Sequence, residues 1–201
     1  MAGSGGFSAA GRSIERLLDA HFAANAALFQ RRPHAILVRS NDFATAGTAE
    51  SAIQPPCLSV FFYRADVNKT MRAAWSAVGS LDGSAYLPVD LHFAIAAWDE
   101  NAEYELRILG SAMACLETTP ILTGPLLHPS GQWRQSEALQ IVHEDVPTES
   151  LLHLFDSLAT DFRLTAPYIA RLVRVESRDP VVRPDVATVI TGGLPSVHQP
   201  T

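Results

Sequence analysis

Residues 86–120 read YLPVDLHFAIAAWDENAEYELRILGSAMACLETTP, and a change of period inside this stretch decides the fold class. Val89, Leu91, Phe93, Ile95 and Ala97 alternate with Asp90, His92, Ala94, Ala96 and Trp98. A period of two marks a strand with a preferred buried face, here the odd-numbered one. From Glu103 the period lengthens: Leu106, Leu109, Met113 and Leu116 recur at three- and four-residue steps, as along one face of a helix. Asp99, Glu100 and Glu103 crowd the turn between them, where the helix dipole favours negative charge. Asp99 or Asn101 can supply the capping oxygen, and Pro120 closes the helix.

Working outward, CLSVFFY at 57–63 is apolar on both faces and rich in β-branched and aromatic residues, which suits an interior strand. With a loop at GSLDGS, 79–84, residues 57–98 then form an extended antiparallel hairpin. AILV at 35–38 reads as a short strand, and NDFATAGTAESAIQPP at 41–56 as a long surface loop. Ser13 is expected to cap a first helix with Ile14, Leu17, Leu18, Phe22, Leu28 and Phe29 on its apolar side. Residues 1–12, mostly Gly, Ala and Ser, read as a flexible arm. Downstream, Leu122, Leu126 and Leu127 anchor a Pro- and Gly-punctuated connection, and 138–146 reads as a strand. Thr148 is expected to cap a helix striped by Leu151, Leu154, Phe155 and Leu158. The final strand is YIARLVRVE, 168–176, with Arg171 intruding on a face shared by Ile169, Val173 and Val175. A Pro- and Gly-rich tail occupies 179–201; its prolines and glycines argue against a packed element, despite a short β-prone run at Ala187–Thr191. The expected class is a mixed α/β (α+β) domain at 13–178, with a mainly antiparallel sheet of about four to six strands against two or three helices.

The chain has 201 residues, 47% of them hydrophobic and 18% charged, enough to bury a real core. Its net charge of −6 argues against a nucleic-acid partner bound by neutralising phosphates. The N-terminus lacks the pattern of a secretory signal, and no apolar run approaches the ~20 residues of a membrane span. The expectation is a soluble, cytoplasmic protein with no membrane partner. Cys57 and Cys115 sit in apolar stretches and read as reduced core thiols.

Seven histidines prompt a search for metal ligands. His143-Glu144 lacks the second histidine of the helical zinc motif. Asp90 and His92 share a strand face and could meet His143 across the sheet, but a polar outer face explains them without a ligand. The sequence has no Gly-rich phosphate loop, GxSxG or SxxK. Charge at a helix start accounts for Asp99, Glu100, Glu103 and Glu105 without a catalytic dyad. The chain therefore reads as no enzyme, with no catalytic, cofactor-binding or metal-binding residue assigned. Arg163, Arg171, Arg174, Arg178 and Arg183 outnumber the acids beside them and read either as solvated strand edges and a soluble tail or, more sharply, as a contact surface. In a self-associating protein, Asp99, Glu100 and Glu103 would be its opposite number on a second copy.

Three pieces, 56–72, 86–122 and 168–177, resemble in order and spacing the cap, or tube-terminator, proteins of contractile phage-tail-like injection systems. The points of match are the aromatic pair Phe62-Tyr63, Asn68 and Arg72 in a polar turn, Trp98 before the acids, and Glu105, Leu109 and Gly110 in the helix. Pro120 and Leu122 follow in the same order. The resemblance implies a tail-terminator-like domain that assembles as a ring, usually of six, on the last layer of the inner tube. Such a ring ends polymerisation and engages the last sheath layer. The implied partners are further copies of the chain, the inner tube protein and the sheath protein, with no cofactor. The particle would be assembled in the cytoplasm. Longer members of the family carry a further C-terminal domain, where this sequence has its tail from Asp179. That tail is expected to lie along an adjacent protomer or a sheath subunit. The alternatives are an adaptor role elsewhere in the same particle and, behind it, an enzyme with a metal site at Asp90, His92 and His143.

Overall fold

The alternating segment forms strand β3, Tyr86–Trp98, in the computed structural model, which describes residues 5–75, 86–158 and 160–176. Strands β2, Cys57–Val67, and β6, Thr165–Glu176, flank it, both antiparallel. Strand β1, His34–Val38, lies outside β2 and parallel to it. Outside β6 come β5, Ala138–His143, and β4, Ile121–Thr123, both antiparallel to their neighbours. Among the described residues the order β1-β2-β3-β6-β5-β4 gives six strands, within the expected range and mainly antiparallel. The expected hairpin is the β2–β3 pair. Its loop at 79–84 lies outside the described residues, as does the tail at 179–201. Strand β4 falls where only a connection was expected, with Leu122 as its fully buried inward residue.

Helices cover both faces. Helix α1, Gly6–Ala24, and helix α4, Ala102–Thr118, pack on the odd-numbered face of β3. Ile14, Leu18 and Phe22 of α1 and Ile108 and Leu116 of α4 meet Phe93 and Ile95 there, all almost fully buried. Each such side chain stabilises the fold by at most ~1.5–3 kcal/mol. The even-numbered face, expected to be polar and outward, is also covered. Ala94, Ala96 and Trp98 are buried. Phe43 of the short helix α2, Ser40–Ala44, Ile53 and Leu158 form a second core with Cys57 and Trp98. Helix α5, Thr148–Asp156, adds Leu154 to that core and sets Phe155 edge-on to Phe43 at 6.4 Å. Ser59 accepts the Trp98 indole N–H at 2.9 Å and donates to the Ala96 carbonyl at 3.1 Å, so the ring is buried without an orphan donor. The stretch 41–56 is thus a wall of the core and not a surface loop.

Four local expectations are corrected. Helix α1 starts at Gly6, so the stretch read as an arm is helical for most of its length. Ala9, Ala10 and Gly11 are buried, because small residues let the first turns approach β1 and the turn Pro129–Gly131. Ser13 is mid-helix and no cap. Its hydroxyl donates to the Ala9 carbonyl and accepts the His128 N–H, both at 2.7 Å. Helix α4 is rotated from the expected face: it buries Ile108, Leu109, Ala112, Cys115 and Leu116, and leaves Leu106 58% exposed. Small Ala112 and Cys115 carry little weight in a hydrophobicity count, although they allow the closest approach. Thr148 makes no capping bond; the Pro147 carbonyl accepts the Ser150 and Leu151 N–H groups at 2.9 and 3.3 Å. Helix α3, Lys69–Trp75, follows β2.

Candidate assembly surface

Two charged clusters sit at opposite ends of β3. At the Trp98 end, Asn101 caps α4, accepting the Glu103 N–H at 2.8 Å. Asp99 accepts the Asn101 N–H at 3.1 Å, and its own N–H donates to Glu105 at 3.2 Å. Three arginines then brace the acids from within the chain. Arg31 reaches Asp99 at 3.3 Å, Arg107 reaches Glu103 at 3.0 Å, and Arg163 pairs closely with Glu105. The Arg163 guanidinium also lies 4.2 Å above the Trp98 ring, a cation–π seat on the second core. Glu100 is exposed, and Glu103 keeps 75% of its side chain in solvent, so these two carry the outward charge of the turn. A shallow cleft of about 320 Å³ opens beside them, lined by Gln30, Arg31, Asp99, Glu100, Asn101 and Tyr104.

At the Tyr86 end, Arg171 faces Asp90 at 3.8 Å, and Asn68 donates to the same carboxylate at 3.0 Å. Arg174 pairs with Glu137 at 3.6 Å and lies over the Tyr86 ring at 4.5 Å, while Arg134 donates to the Tyr86 hydroxyl at 3.0 Å. The expected contact residues thus divide. Asp99, Glu100, Glu103 and Arg163 gather at one end and Arg171 and Arg174 at the other, while Arg178 and Arg183 lie outside the described residues. Arg163 already has its acid in the same chain, a partner the sequence did not reveal.

The middle of β3 carries a polar cluster, built around buried His92 and its partner Glu144, that sequence reasoning missed. The bulge at Tyr63 shifts the register between Phe62–Phe93 and Arg64–His92, and so turns Arg64 and Asp66 onto the His92 face. His92, 4% exposed, has Nδ1 2.8 Å from Glu144 and Nε2 3.2 Å from Asp66. Arg64 reaches Glu144 at 3.0 Å, and the Tyr63 hydroxyl donates to it at 2.8 Å. Burial, and then the Glu144 carboxylate, push the Tyr63 hydroxyl well above the ordinary tyrosine range. His143 takes no part. It lies opposite Tyr168 on the other face, edge-on to that ring at 5.3 Å. The set Asp90, His92 and His143 is therefore split across the sheet. Among the described residues no group of three His, Cys, Asp or Glu side chains is placed to hold a metal ion. A second bulge opposite Asp90 separates Ile169 from Val173, so the face once expected to hold both is divided, and Arg171 is exposed beside it. Burial pushes the Cys57 thiol up to about 12 and the Cys115 thiol up to about 11, as inert core groups would be.

Residues 9–188 match the Pvc16 N-terminal domain family. The fold is similar to the cryo-EM structure of the PVC sheath/tube terminator of an extracellular contractile injection system in its extended state. That comparison has a TM-score of 0.53 and 15% identity, and covers 94% of this chain and 63% of that one. It is also similar to the tube-terminating cap of the anti-feeding prophage, with a TM-score of 0.51 and 18% identity, covering 92% of this chain and 59% of that one. This chain spans about three-fifths of the length of those solved chains. At these identities the likeness is one of fold. No curated protein sequence matches the chain. Among the described residues no helix is long and apolar enough to cross a membrane.

Proposed function

The chain belongs to the Pvc16 N-terminal domain family, and from that premise we propose that it is the cap of a contractile injection particle. It is a structural part and not an enzyme. Six copies assemble as a ring on the last layer of the inner tube, end tube and sheath polymerisation, and anchor the last sheath layer. The particle is assembled in the cytoplasm. The observation that carries this reading is the family match over 9–188, which takes in all six strands of the sheet.

The charge arrangement supports a ring. A cyclic assembly of identical copies joins two different surfaces head to tail. Exposed Glu100 and Glu103 stand at one end of β3, and Arg171 and Arg174 toward the other, ~30 Å away along the strand. The outward acids of one copy then meet the cationic end of the next, where Arg178 and Arg183 follow in sequence. The test is electron microscopy of particles from cells lacking this gene. Overlong or irregular tubes are expected. Tubes of normal length would refute capping and leave the adaptor role.

A further inference from the structure

One edge of the sheet is half sealed and half open. Strand β1 covers β2 only from Cys57 to Phe61. The outward edge of β1 is closed by helix α1: the Ala35 N–H donates to Asp19 at 2.7 Å and the Leu37 N–H to Glu15 at 3.2 Å. From Phe62 to Val67, β2 has β3 on one side and, among the described residues, no strand on the other. Beside this open half lies a groove of about 460 Å³, lined by Phe7, Gly11, Leu37, Phe62 and Leu91 among others. Phe7 is 40% exposed at its rim. An open edge over an apolar trough is what an added strand needs: backbone groups to pair with and a place for alternate side chains.

The geometry supplies a candidate within reach. Strands β2 and β6 both run antiparallel to β3, so they point the same way. Val67 lies opposite Val89, and Glu176 lies opposite Tyr86, so the chain leaves β6 at the end of the sheet where the open edge stops. A strand laid outside β2 is three strand spacings from β6, ~14 Å. Residues 177–186 can span more than twice that, ~33 Å when extended. They contain Pro180 and Pro184, which cannot donate to an interior ladder. The run Ala187-Thr188-Val189-Ile190-Thr191 follows, β-branched at four positions and closed by Gly192-Gly193.

We propose that residues 187–191 add to the sheet as a strand antiparallel to β2, beside Phe62–Val67 of the same chain. Either phase of the alternation sets Val189 or Ile190 over the groove.

Hydrogen exchange on the full chain tests this. The outward amides of 62–67 exchange slowly in the parent, and Ile190→Pro speeds them about tenfold or more while 57–61 is unchanged. Parent amides exchanging as an open edge does, or protection unaffected by Ile190→Pro, would overturn the proposal. A second measurement pairs Ala65→Cys with Thr188→Cys, Val189→Cys or Ile190→Cys in turn. Adjacent strands bring at least one pair within disulfide range, so an intrachain bond forms on oxidation. No bond, or bonds only between chains, would refute same-chain seating. Neither measurement involves tube or sheath, so this proposal and the cap reading fail separately.

Discussion

Replacing Ile53 by alanine tests the second core, in a stretch whose composition reads as a surface loop. Ile53 is fully buried with Phe43, Cys57, Trp98 and Leu158. Ile53→Ala deletes three carbons, ~2.4 kcal/mol of transfer free energy at ~0.8 per methylene. The cavity left among aromatic neighbours that cannot collapse into it raises the cost to ~3–4 kcal/mol. The control is Leu106→Ala, at a position the helical period marks as core but which is 58% exposed. Less than half of a leucine is buried there, worth ~1 kcal/mol or less, and alanine's better helix propensity offsets part of that. Urea unfolding of the two variants beside the parent reads the difference directly. Equal costs, or a loss below ~1 kcal/mol for Ile53→Ala, would mean that 41–56 is not a wall of the core.

Gly131→Ala would place a methyl 2.4 Å from the Trp133 indole nitrogen and 2.8 Å from the Ala9 side chain. Detachment of the first turns of α1, with a loss of ~1–3 kcal/mol, is expected by thermal unfolding. Tyr63→Phe removes the donor to Glu144, and a loss of ~1 kcal/mol in the same assay is expected. Glu103→Lys should leave the fold intact, its pair among the described residues being the surface contact to Arg107, while weakening self-association in sedimentation; unchanged association would refute the acidic turn as a contact. The two thiols, raised from 9.0 to about 12 and about 11 by burial, stay protonated when folded at a pH where the unfolded chain loses its protons. Their contribution to stability is whole below pH 9 and is lost as pH rises through 9 to 11–12, so the melting temperature should fall between pH 8 and pH 10.5.

Long periodic segments were legible. Strand β3 emerges from alternation, β2 from β-branched and aromatic residues on both faces, and helix α4 from three- and four-residue steps, with Asn101 one of the two residues offered as its cap. Features that depend on contacts distant in sequence were not. Gly, Ala and Ser at 6–12 look like an arm until small size becomes an advantage against Gly131 and Leu37. Phe43 and Ile53 are isolated apolar residues in polar surroundings, with no period to mark them. The cluster around His92 depends on a bulge at Tyr63, and one extra residue inverts which side chains share a face. Both charged groups stand out in sequence, but the pairing of Arg163 with Glu105 at the acidic end, away from Arg171 and Arg174, does not.

Strand β3 also has a mechanical meaning. It is hydrogen-bonded along both sides over nearly its whole length, to β2 and to β6, and its ends carry the two charged clusters. A pull between neighbours attached at those ends acts along the strand. The flanking bonds then share the load together as shear, and do not peel open one after another. A subunit gripped in this way would lose its contacts with its neighbours before it lost its sheet.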